Sequence, residues 1–132
     1  MNKFIFFLLT FFTIQSAVAQ DAVHESQLLV PAIAYETVEV KPEYNGGYIA
    51  FVKFIASNFI LPDVESLSGV VKVSFVIGTD GKINNIRVIQ DLGDGTGEEA
   101  VRVLKSCPSW TPGQQEGKKV KVLMSMPINL KI

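Results

Sequence analysis

The chain has 132 residues, with 12 basic and 13 acidic side chains, one histidine and one cysteine. That length sets one domain as the expectation, and a net charge of −1 provides no electrostatic footprint for nucleic acid or an anionic membrane surface. A lone His24 and a lone Cys107 exclude an intramolecular disulfide and a His/Cys metal site, and no cofactor-binding pattern is present.

The first 19 residues read as an export signal. Lys3 supplies the positive start, residues 4–14 are an apolar run, and Ala17-Val-Ala19 forms a small-x-small cleavage pattern before Gln20. The run is shorter than the ~20 residues that cross a bilayer as a helix, so cleavage is expected rather than a retained anchor. Loss of residues 1–19 removes Lys3 and no acid, which leaves a balance of −2. Residues 20–45 hold Pro31, Pro42 and scattered acids, and read as a flexible or extended lead-in. Within it, the alternation at Thr37-Val-Glu-Val40 is compatible with a short strand.

A helix is predicted after Asn45-Gly46-Gly47. Phe51, Ile55 and Phe59 recur at i, i+4, i+8, and Asn58 and Pro62 mark its end. A β-hairpin follows. Val71, Val73, Phe75 and Ile77 share one face of the first strand, Asp80-Gly81 supplies the turn, and Ile86 and Val88 form the matching face of the second strand. The glycine-rich stretch from Leu92 to Gly97 lacks the Lys-Ser/Thr ending and the spacing of phosphate loops, and its acids would repel phosphate. It reads as a strand-to-helix turn with a Thr96-x-x-Glu99 capping box. The second helix carries Ala100, Val103, Leu104 and Cys107 on one stripe, with Arg102 and Lys105 toward solvent. Pro108 ends it, and Trp110 is placed at the core margin with its N–H directed to a partner.

The final run alternates most cleanly. Val120, Val122, Met124, Met126, Ile128, Leu130 and Ile132 share one face, and Lys119, Lys121, Ser125, Asn129 and Lys131 the other. Pro127 cannot donate to a ladder, so this strand is expected at a sheet edge with that position facing outward. The order helix, strand, strand, helix, strand predicts an α+β two-layer sandwich over residues 46–132: a three-stranded antiparallel sheet with two helices on one face.

No catalytic constellation can be assembled. A Ser-His-Asp set would need His24, which lies in the lead-in, and Cys107 has no activating base. The carboxylates near the loops have turn and capping duties, so no enzyme is expected. The feature with functional content is the terminal edge strand, which can accept an extended peptide by strand addition. The competing reading is an edge blunted by Pro127 and lysines, with no partner.

Gly69-x-Val71-x-Val73-x-Phe75, Asp80-Gly81-Lys82-Ile83, Glu99-Ala100-x-Arg102-Val103, Pro108-x-Trp110-x-Pro112-Gly113 and Met126-Pro127-Ile128, taken in that order, resemble the TonB C-terminal domain. Lys41-Pro-Glu-Tyr-x-Gly-Gly47 resembles the segment preceding that domain in its Bacteroidetes form. The resemblance implies two helices on a three-stranded antiparallel sheet. It also implies binding of the TonB box, an extended segment of outer-membrane TonB-dependent receptors, beside the last strand. Carried over, the docking strand comprises Val120, Lys121, Val122, Leu123, Met124, Ser125, Met126, Ile128 and Leu130. Read this way, with a signal expected to be cleaved and a short lead-in without Pro repeats, the chain is expected to depart from a force-transmitting transducer. The expectation is therefore a periplasmic TonB-like peptide-binding module. Two alternatives stay open: a short inner-membrane-anchored transducer working with the proton-driven motor, and a structural envelope protein that forms a homodimer through its edge strand.

Overall fold

The computed structural model describes residues 30–132. The export signal at 1–19 and the lead-in as far as residue 29, with His24, lie outside the described residues. Residues from Pro31 to Ile132 form one compact unit. Its elements are β1 (Ile33–Ala34), α1 (Gly47–Asn58), β2 (Ser68–Ile77), β3 (Ile83–Gln90), α2 (Thr96–Lys105), β4 (Gly113–Gln115), β5 (Lys118–Val120) and β6 (Val122–Lys131).

The main sheet has the order β1-β6-β2-β3, so the expected three antiparallel strands are joined by a fourth. Strands β3, β2 and β6 pair antiparallel, while β1 pairs parallel to β6 through Ile33 with Val122 and Ala34 with Leu123. The extra strand, Ile33–Ala34, comes from the lead-in, which belongs to the compact unit from Pro31 onward. The reason is packing. Val38 is 4% exposed in the core, and the Tyr44 ring packs tilted against Phe51 and edge-to-face with Trp110. Of the alternating stretch at 37–40, Val40 alone bridges, to Gln114; Glu43 bridges to Thr111.

Alternation places Val71, Val73, Phe75 and Ile77 of β2 on the same face as Val122, Met124, Met126, Ile128 and Leu130 of β6, all buried. Phe51 and Ile55 of α1, and Ala100, Val103 and Leu104 of α2, close over that face. Phe51 is central, with ring contacts to Tyr44, Tyr48, Phe75 and Trp110. Burying one such aromatic contributes about 2–3 kcal/mol. Trp110 lies inside this cluster rather than at its margin, 5% exposed, and its buried Nε1–H has no hydrogen-bond partner.

The start of α2 differs from the expected capping box. Its N-cap is Gly95, with no side-chain cap. Asp91 does that work from outside the helix: its Oδ1 accepts from the amides of Gly93 and Gly97 and from the buried Thr96 hydroxyl. These bonds, first the one from Gly93 and then that from Thr96, hold the Asp91 carboxyl below the usual carboxylate range. Glu99 instead reaches across to α1. It pairs with Arg102 and accepts from the Ile60 amide, and Arg102 Nη2 donates to the Asn58 carbonyl at 2.7 Å. The two acids thus tie each helix end to a neighbouring loop.

Candidate functional site

Strand parity sets the direction in which each backbone group of β6 points. Ile33 N–H donates to the Lys121 carbonyl at 2.9 Å, and Tyr35 N–H to the Leu123 carbonyl at 3.0 Å. At the other end Ile132 N–H donates to Leu67, on the β2 side. Odd-numbered residues from Lys121 to Lys131 therefore direct their amides and carbonyls away from β2, and even-numbered ones pair with it. Pro127 falls on the outward side, as expected, and its missing N–H costs the β2–β6 ladder nothing.

The sheet has two flanks, and they are built differently. The β3 flank is irregular, because its register with β2 shifts between Lys72 and Val73 and again between Ser74 and Val76. Ile89 is the extra residue at the first shift, and Asn85, at φ 49°, lies in the second. Such bulges twist an edge away from pairing. The β6 flank pairs with β2 without interruption from Lys131 back to Val122. Among the described residues, nothing but β1 pairs with its outward side, so residues 125–131 form an open, regular edge about 20 Å long.

Alongside this open edge lies an apolar wall. Val52, Ile55, Ala56 and Phe59, with Leu61 beyond α1, face Met126, Pro127, Ile128, Asn129, Leu130 and Lys131 across a groove of about 330 Å³. A second hollow of similar size is lined by Tyr35, Glu36, Tyr48, Met124 and Ser125. Val52 is 41% exposed and Leu61 47% exposed, and Tyr48 and Ile49 are more open still. Helix α1 thus has one apolar stripe in the core and another beside the open edge. By contrast, α2 presents Arg102 and Lys105 outward. An extended segment laid on β6 would pair its backbone with the edge and place alternate side chains against this wall.

The residues expected to form the docking strand divide by position. Val120 ends β5, and Lys121 precedes β6 with its carbonyl on Ile33. Val122 and Leu123 lie opposite β1, so the expected edge is covered at these two residues. Met124, Met126, Ile128 and Leu130 are core residues that also line the hollows, and Ser125 is exposed on the open side. Sequence reasoning missed the wall of Val52, Ala56, Phe59 and Leu61, and the outward backbone of Asn129. The available signal was the apolar character of α1 outside its core stripe, at Tyr48, Ile49 and Val52.

Burial raises the Cys107 thiol pKa. Among the described residues no group of three His, Cys, Asp or Glu side chains is placed to hold a metal ion, and no helix is long and apolar enough to cross a membrane.

Residues 64–132 match the family model described as the Gram-negative bacterial TonB protein C-terminal. No curated protein matches the chain. Two NMR solution structures of the Helicobacter pylori TonB C-terminal domain are similar. The one covering its residues 194–285 has 24% identity and a TM-score of 0.49, over 62% of this chain and 89% of that one. The one covering 179–285 has 20% identity and a TM-score of 0.47, over 64% and 80%.

Proposed function

Since this chain belongs to the TonB C-terminal domain family, we propose that it is a peptide-binding domain of the cell envelope, acting in TonB-linked transport across the outer membrane. Its ligand is an extended segment of an outer-membrane receptor, the TonB box, which adds as a strand to the outward side of β6. Export by removal of residues 1–19 delivers the domain to the periplasm.

The observation that carries this reading is the pairing of a regular, unbulged edge with an apolar helix wall over the same residues, 125–131. Backbone bonds to the edge provide affinity, and the wall selects segments with apolar residues at alternate positions. The β3 edge, interrupted twice, offers neither.

Titration of the isotopically labelled protein with synthetic TonB-box peptides tests the reading. The expected result is amide-exchange protection of Ser125 and Asn129, with shifts at Val52 and Ala56. Absence of binding, or protection confined to residues 83–90, would overturn it. Concentration-dependent dimerisation that protects the same amides without peptide would assign the edge to self-association instead.

A further inference from the structure

The outward side of β6 is not uniform. Lys121, Leu123 and Ser125 each have both an amide and a carbonyl, whereas Pro127 has a carbonyl alone. The uninterrupted run of donors and acceptors therefore lies at 121–125, ahead of the proline. Strand β1 covers the first part of that run, with Ile33 and Tyr35 donating to the Lys121 and Leu123 carbonyls, and leaves Ser125 on the open edge. A partner strand confined to the open part would have one of its own carbonyls opposite Pro127 without a donor. Complete pairing requires the place that β1 occupies.

The way β1 is held suits a segment that can leave. From Val38 onward the lead-in is tied firmly. Val38 is in the core, Val40 and Gln114 exchange amide bonds at 3.0 and 2.9 Å, and Glu43 and Thr111 do so at 3.0 and 2.8 Å. Ahead of Val38, the ladder is two residues long and Ile33 and Tyr35 are only half buried. Between the two parts is a turn in which the Ala34 carbonyl accepts from Thr37 N–H, Val38 N–H and Thr37 Oγ1. Lys41 closes over it: its ammonium donates to the Tyr35 carbonyl at 2.8 Å and lies 4.7 Å from the centre of the Tyr35 ring. The arrangement is a short flap, anchored at Val38 and latched by Lys41.

We infer that β1 is an intramolecular stand-in for the partner strand: it occupies the best-paired part of the docking edge and is displaced when the partner binds. This rests on β6 being the docking strand. It makes the apparent affinity depend on how often the flap is open, because only the open fraction offers the full edge.

The test locks and unlocks the flap in the full-length protein carrying Cys107→Ser. Ala34 and Leu123 are register partners, and both are exposed. The Ala34→Cys, Leu123→Cys pair, oxidised, fixes β1 in place; reduction releases it. Binding of a synthetic TonB-box peptide should be about tenfold weaker in the oxidised form than in the same protein after reduction. Lys41→Met, which removes the latch at an exposed position, should strengthen binding about threefold, with Lys41→Arg close to the parent. In the complex the Tyr35 amide should lose its exchange protection while the Leu123 amide keeps its own. Equal affinity in oxidised and reduced protein, or a Tyr35 amide still protected in the complex, overturns the inference and leaves the domain as a peptide binder. No binding in any form overturns the docking reading itself, and this inference with it.

Discussion

The Trp110 amide donates to the Gly81 carbonyl at 2.8 Å, and the two residues approach so closely that a Cβ on Gly81 would overlap the Trp110 carbonyl. Gly81 also has φ 81°, which side chains seldom adopt. The β2–β3 turn therefore clasps the segment that carries the central tryptophan. Gly81→Ala is expected to cost about 2–4 kcal/mol and to lower Tm by roughly 10–20 °C. Gly117 has a similar φ of 73° but open space around it, so Gly117→Ala should cost only about 1 kcal/mol. Thermal unfolding of the two variants separates the steric part from the conformational part; equal losses would refute the clasp.

Backbone parity along β6 predicts opposite outcomes for neighbouring prolines. Ser125→Pro removes an outward amide that the sheet does not use, so the fold should survive while TonB-box peptide affinity falls about tenfold. Met126→Pro removes an amide paired with β2 and should destabilise the domain by about 3 kcal/mol or more. Circular dichroism and calorimetric titration of both variants check the assignment. A folded Met126→Pro alongside an unfolded Ser125→Pro would reverse it.

The wall beside the edge can be tested without touching the core. Val52 is 41% exposed and outside the core, so Val52→Asp should change stability by about 1 kcal/mol. The same change places a carboxylate where apolar ligand side chains are expected, and peptide affinity should fall at least about tenfold. Unaltered affinity would remove α1 from the site.

Asp91 makes folding sensitive to acid. Its bonds from Gly93 and Thr96, and further from Gly97, hold its folded pKa below the unfolded value. The stabilisation is therefore complete above the usual aspartate range and is lost as pH falls through the folded pKa, because the unfolded chain takes up the proton first. Asp91→Asn should be less stable than the parent at pH 7, and the difference should shrink as pH is lowered below about 4. Denaturant titrations at pH 7, 4 and 3 measure it; a gap that widened toward low pH would contradict the sign.

Cys107 should react slowly. Burial raises its pKa, so little thiolate is present at pH 7, and alkylation by iodoacetamide should lag behind a free model thiol by about tenfold or more. Parity with the model thiol would mean that the thiol opens to solvent in the native state.

The sequence by itself determined which residues of β2, α2 and β6 face the core, although Val88 and Ile132, expected on the same faces, are exposed. The two-residue period of β2 and β6 and the helical stripe of α2 are local properties of side-chain direction, and they place Val71, Phe75, Met126 and Leu104 as found. It also assigned Pro127 to the outward side, since a missing amide is tolerated only there. Tertiary structure decided the rest. Ile33 and Ala34 have no strand pattern of their own and pair because Val38 and Tyr44, anchored in the core, bring them to β6. Thr96 and Glu99 have the spacing of a capping box, yet Asp91 and the Ile60 amide, distant along the chain or outside the helix, offer them better bonds. The bulges that spoil β3, the regular edge of β6 and the wall of α1 are relations between elements. Local periodicity orients a side chain; only the assembled sheet determines which edge is left open and what stands beside it.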